Sequence, residues 1–245
     1  MSTDTRTRLL QGAVDALRTQ GIAGVSARTI AAAAGVNQAL VFYHFGSVDE
    51  LVAAAALWST ERRVAESRDR LRQVRSLREL LAVGRELWAK ESAADEVEAL
   101  GQALTGAQGD SVLAAAAKES AAGEVEVLGQ VLTGAQTNPV LAVAARDALA
   151  VWTGEIEQVL TRVLADSVLG EVADVPGLAR AVAASFVGME LAAAVDPDGG
   201  AAAFRALDQL GAVLEGLDEL EPATRRDVRL TVRRSVRKKG GGAEA

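Results

Sequence analysis

The sequence predicts an all-α protein of two parts, a small N-terminal domain and a larger helical one behind it. Three observations carry that prediction. Alanine, leucine and valine dominate while aromatic residues make up 3% of the chain, the apolar positions recur at helical rather than alternating spacing, and helix stop and start signals crowd the first 50 residues. At 245 residues there is ample chain to bury a core without metal or disulfide.

The first helix is expected over about 3–20, with Leu9, Leu10, Ala13, Ala16 and Leu17 on one stripe. Gly21 follows, where a helix end favours a left-handed residue. Ile22 and Val25 lead into a second helix capped by Ser26 and buried through Ile30, Ala31 and Ala34. Gly35 ends it by the same C-terminal chemistry. Asn37 caps a third helix that stops at Gly46, and Ser47-Val-Asp-Glu50 reads as a capping box opening a fourth. Beyond Trp58 the stretch 61–78 is strongly charged, as expected of a helix leaving one domain for the next.

Further on, AKESAADEVEALGQALTGAQGDSVLAAA (89–116) is followed directly by AKESAAGEVEVLGQVLTGAQTNPVLAVA (117–144), identical at 21 of 28 positions. A helix running unbroken through both copies would rotate the second apolar stripe by about 80° relative to the first. The in-phase breakers, Gly109-Asp-Ser111 and Thr137-Asn-Pro139, favour helix, break, helix in each copy. Two copies are too few for a solenoid, which needs at least ~3, so the duplication is expected to lengthen a helical pair. Its location suggests that it reshapes the larger domain. Pro139, at the first helical position behind Asn138, opens a helix to about 164. Two more are expected over about 176–195 and 200–220, split by Asp196-Pro-Asp-Gly-Gly200. The stretch 224–239 holds eight basic residues and one acid, and is expected to fray as a flexible basic tail over 221–245.

Net charge is −7, yet residues 1–46 carry four arginines (Arg6, Arg8, Arg18, Arg28) against Asp4 and Asp15, leaving −9 on the remainder. A basic head on an acidic body suits contact with phosphate at one end only. There is no cysteine, and His44 is the one histidine. Thiol chemistry and Cys-ligated zinc are therefore excluded, and neither a Gly-rich phosphate loop nor a metal-ligand cluster supports an enzyme, a metal or another cofactor. No run approaches the ~18 apolar residues of a membrane span and no secretory leader is evident, so a cytoplasmic protein without a membrane partner is expected.

Two short helices joined by a Gly-containing turn describe a helix-turn-helix, over 26–45. The segment SARTIAAAAGVNQALVFYHFGSVDEL, 26–51, resembles the DNA-binding signature of the TetR family of bacterial transcriptional regulators. The resemblance is specific over about 4–62 and looser beyond. It implies a DNA-binding domain over 1–62 and an effector-binding and dimerisation domain over 63–220. It also implies a homodimer joined through about 176–220, double-stranded DNA with a palindromic operator as partner, and release by a small molecule.

Placing the third helix at 100° per residue sends Val41 and Phe45 inward and leaves Gln38, Ala39, Leu40 and Tyr43 for the groove. A Gln amide can pair with adenine N6 and N7, and Ala39 and Leu40 can touch thymine methyls. The resemblance adds Ser26, Arg28, Thr29, Asn37 and His44 to the DNA-facing set. The chain departs from the family pattern at Phe42, commonly a Tyr, and at Val48, usually a Lys, so weaker or differently distributed backbone contacts are expected. A small apolar effector would lie among helices between about 80 and 195, with Trp88, Trp152, Phe186 and Met189 as candidate lining. Two alternatives remain. One is a regulator of this fold without an inducer, and the other is a helical scaffold that ignores DNA.

Overall fold

The computed structural model describes residues 2–89 and 124–234, apart from a few single positions in the latter. All regular structure among the described residues is helical. The helices are α1 (Ser2–Gly24), α2 (Ala27–Ala34), α3 (Ala39–Phe45), α4 (Val48–Gln73), α5 (77–89), α6 (Glu124–Ala135), α7 (Pro139–Val163), α8 (Val175–Ala193) and α9 (Gly199–Asp218). The all-α expectation, a helix-turn-helix domain with a larger helical part, holds.

Local chemistry sets the boundaries of the first elements. Gly21 adopts φ 63°, ψ 171° inside α1, so the helix breaks where the glycine was expected to end it and then runs on to Gly24. Ser26 accepts from the Thr29 amide at 3.2 Å while the Thr29 hydroxyl accepts from the Ser26 amide at 2.9 Å, a reciprocal cap. Gly35 closes α2 at φ 62°, and its amide and that of Val36 return to carbonyls in the last turn of the helix. Asn37 Oδ1 accepts from the Ala39 amide at 2.8 Å, and Ser47 Oγ accepts from the Glu50 amide at 3.1 Å. Each expected cap thus satisfies an amide that the helix start leaves without an intrahelical partner.

The chain divides into two compact units. The first joins residues 1–67 to 87–152. Its core unites Leu9, Leu10, Ala13, Val14 and Leu17 of α1, Ile30 of α2, Val41 of α3 and Leu51, Val52 and Ala55 of α4. The same core takes in Val127 and Val131 of α6 and Leu141 and Ala145 of α7. The second repeat copy therefore supplies part of the head's own interior. Two polar contacts accompany the packing: Gln130 Oε1 accepts from the Ile22 amide at 3.1 Å, and Asn138 Nδ2 donates to Asp49 Oδ2 at 2.7 Å. Helix, break, helix is observed for this copy, with Asn138 Oδ1 capping α7 through the Val140 amide at 3.0 Å. The first copy lies outside the described residues.

The second unit comprises 68–86 and 153–245. Leu71, Val74 and Val159 form one cluster, and Leu160, Leu164 and Ala179 another. Arg162 reaches the Leu71 carbonyl at 2.8 Å, closing the end of α4, and Arg68 pairs with Glu155 at 2.8 Å. Helix α9 turns Phe204, Asp208, Gly211 and Glu215 toward α5, where Arg85 pairs with Asp208 and Arg78 with Glu215, and where Gly84 and Leu81 meet Phe204 and Gly211. That arrangement leaves Leu207, Leu210 and Val213 of α9 exposed. The described residues in 223–234 are helical, where a fraying tail was expected.

Candidate nucleic-acid interface

Helix α3 has seven residues and one fully buried side chain, Val41. Phe45 packs partly against the head core, as its phase requires. Leu40, expected on the groove face, is half-buried and also packs against the core. Phe42 takes its place outside: it is 50% exposed and Tyr43 is 80% exposed. Gln38 and Ala39 are exposed as expected. The outward face of α3 is thus Gln38, Ala39, Phe42 and Tyr43, an amide, a methyl, an apolar ring and a phenol. Such a set can read base edges and thymine methyls.

Around this face the remaining expected residues have distinct roles. Arg28 is exposed on α2 and makes no hydrogen bond or ion pair among the described residues. The hydroxyls of Ser26 and Thr29 are engaged with each other and with the cap backbone. Asn37 is exposed while its carbonyl oxygen holds the Ala39 amide. His44 is half-buried and stacks edge-on against Tyr43, ring centroids 5.0 Å apart at 84°. α4 leaves α3 at 68°, so the short helix projects from the head rather than continuing into the long one. Sequence reasoning missed two further arginines. Arg6 lies 4.9 Å over the Phe45 ring, and Arg8 binds the carbonyls at the end of α2. Nothing in the spacing of α1 indicated either partner.

The four side chains expected around an effector do not gather within one unit. Trp88 and Trp152 belong to the first unit, and Phe186 and Met189 to the second. An open groove of about 610 Å³ runs along α7, lined by Gly154, Glu157, Gln158, Thr161 and Arg162. Its lining includes none of the four.

A short, exposed helix beyond a capped, glycine-closed turn defines a helix-turn-helix. Residues 9–55 match the family model of bacterial regulatory proteins of the tetR family. A chain from Rhodococcus sp. assigned to the TetR-family transcriptional regulators shares the fold with a TM-score of 0.60 at 18% identity, covering 86% of this chain and 98% of that one. A chain from Pseudomonas aeruginosa PAO1 assigned as a transcriptional regulator gives 0.55 at 20% identity, covering 90% and 92%. A third, from Saccharomonospora viridis and in complex with choline, gives 0.53 at 20% identity, covering 84% and 95%. No curated protein matches the chain. No single helix among the described residues is long and apolar enough to cross a membrane.

Proposed function

We propose that the chain is a sequence-specific DNA-binding transcriptional regulator, a homodimeric repressor that seats α3 of each head in the major groove of a palindromic operator and leaves when a small molecule binds its helical body. The observation that carries this reading is the outward face of α3. A helix facing only water gains nothing from exposing Phe42 and Tyr43 beside each other. Against DNA, Gln38 pairs with adenine for about 1–3 kcal/mol of discrimination, and Ala39 and Phe42 meet thymine methyls. The phosphate bond that Phe42 lacks passes to the Tyr43 hydroxyl, and Arg28 supplies the charged phosphate contact. Because these side chains are exposed, changing them leaves the head core intact.

Selection of duplexes from a random pool tests the reading. The wild-type chain is expected to enrich a palindrome with half-sites one turn, ~34–36 Å, apart. Gln38→Ala with Tyr43→Ala is expected to lose that site while melting at the same temperature. Enrichment of nothing by the wild type would sink the regulator reading and favour the scaffold.

Dimerisation through α8 and α9 is supported by their exposed stripes. Leu207, Leu210, Leu214 and Leu217 recur on α9 at the 3.5-residue period of a helix seam, with Leu210 and Val213 each 61% exposed. On α8, Val182 and Leu191 are also exposed, and Gly188 has open space around it. Leu210→Glu is expected to yield monomers in sedimentation and to weaken operator binding at least about 100-fold, since each head then binds one half-site alone. A dimer surviving that change would place the seam elsewhere. The effector site is assigned to the helical body, and the shared fold of a chain solved with choline supports a small molecule there.

A further inference from the structure

Helix α3 is anchored by few buried side chains, Val41 fully and Leu40 and Phe45 in part. Its direction therefore depends on what fixes its two ends. At the leading end, Arg8 Nη2 donates to the Ala34 carbonyl at 2.7 Å and to the Gly35 carbonyl at 2.7 Å. These are the acceptors that α2 leaves without intrahelical partners, at the negative end of its dipole, where a guanidinium is favoured. The left-handed Gly35 lies against the same group, because a Cβ there would stand 3.0 Å from Arg8 Nη2. At the trailing end, the Arg6 guanidinium covers the Phe45 ring. Two arginines of α1 thus reach the residues just before and at the end of the reading helix.

We propose that Arg8 is a positioning residue for DNA recognition: by holding the Ala34 and Gly35 carbonyls it fixes the exit from α2 and hence the direction in which α3 is offered to the groove. The inference rests on the DNA-binding reading above. It divides the head's cations by task, with Arg8 committed to the turn and Arg28 left for phosphate. A residue that aims a helix affects selected sequences and leaves the charge-driven, sequence-independent affinity alone. A residue that neutralises a phosphate affects both, and its removal lowers the salt slope by about 0.9 for each phosphate set free.

The test measures the affinity of the full chain for its selected duplex and for a scrambled duplex across a salt series, with Arg8→Met and Arg8→Lys beside wild type. Arg8→Met is expected to lower the selected-site affinity about tenfold or more, as loss of two charge-assisted hydrogen bonds implies. Scrambled-duplex affinity and salt slope should stay at the wild-type values. Arg8→Lys, which keeps the charge but not the fork, should recover part of the loss. A slope reduced by about one, with both affinities falling together, would show a phosphate contact and overturn the proposal. An unchanged ratio of selected to scrambled affinity, with a lower melting temperature, would show a purely structural role and overturn it too. Should Arg8→Met fail to fold, Arg8→Lys alone decides: positioning requires a reduced ratio at constant slope, and a wild-type ratio refutes it. A wild-type chain that selects no duplex removes the DNA reading itself, a result distinct from either failure of Arg8.

Discussion

Deleting 117–144 is expected to destabilise the protein by about 4–6 kcal/mol more than deleting 89–116, although the two products have equal length and differ at only seven positions. The tandem identity makes this comparison possible. Removing 89–116 leaves the second copy where it is, whereas removing 117–144 puts the first copy in its seat. The differences that matter all lie where α6 and α7 enter the head core. Val127 and Val131, both fully buried there, would become Ala99 and Ala103. Each truncation removes two buried carbons at about 0.8 kcal/mol apiece, plus a cavity. Asn138, which donates to Asp49 at 2.7 Å, would be replaced by Asp110, setting two carboxylates against each other. Pro139 gives way to Ser111, losing a good first helical residue. For a chain of this size the sum corresponds to a melting difference of more than about 10 °C. Thermal unfolding of the two deletion chains measures it. Equal melting temperatures would mean that the second copy holds no advantage as the seat of the head.

That seat illustrates what the sequence could and could not disclose. The head was readable because its boundaries are local: Gly21, Gly35 and Gly46 each take positive φ, and Ser26, Asn37 and Ser47 each accept a nearby amide, within four residues of their own positions. The break at 136–138 and the start of α7 were readable for the same reason. Long-range pairing was not. The bond from the Ile22 amide to Gln130 spans 108 residues, and nothing about Val127 or Val131 in a row of alanines and leucines names α1 as their partner. Helix periodicity placed Val41 inward and Tyr43 outward, but a helix of seven residues has no clear boundary between faces, so Leu40 sinks halfway and Phe42 emerges. Size and hydrophobicity, the properties that single out Trp88, Trp152, Phe186 and Met189, are shared by any core residue, and the four fall in two different units. The contacts of Arg8 were not legible because sequence shows a side chain's charge and not the carbonyls it will meet.

Gly12→Leu is expected to disable the head outright. Gly12 lies where α1 crosses α2: a Cβ there would stand 2.8 Å from Ala34 Cβ, 2.8 Å from Ala34 N and 2.9 Å from the Ile30 carbonyl oxygen. Two of these are backbone atoms of a capped helix and cannot rotate away, so the helices must part. Parting them loosens the Leu9, Leu17 and Ile30 core and draws the Ala34 carbonyl from Arg8, so packing and aim fail together. Overpacking usually costs about 1–3 kcal/mol and more where the backbone itself must move. A loss above about 3 kcal/mol, or roughly 10 °C of melting temperature, is therefore expected, together with loss of selected-site binding. Gly154→Ala supplies the opposite sign. That glycine stands inside α7 with nothing within 4 Å of its missing Cβ. Replacing it should stabilise by up to about 1 kcal/mol through helix propensity alone. If Gly12→Leu melts with the wild type while Gly154→Ala behaves as expected, α1 and α2 can separate without cost, and the close crossing does not hold the reading helix in place.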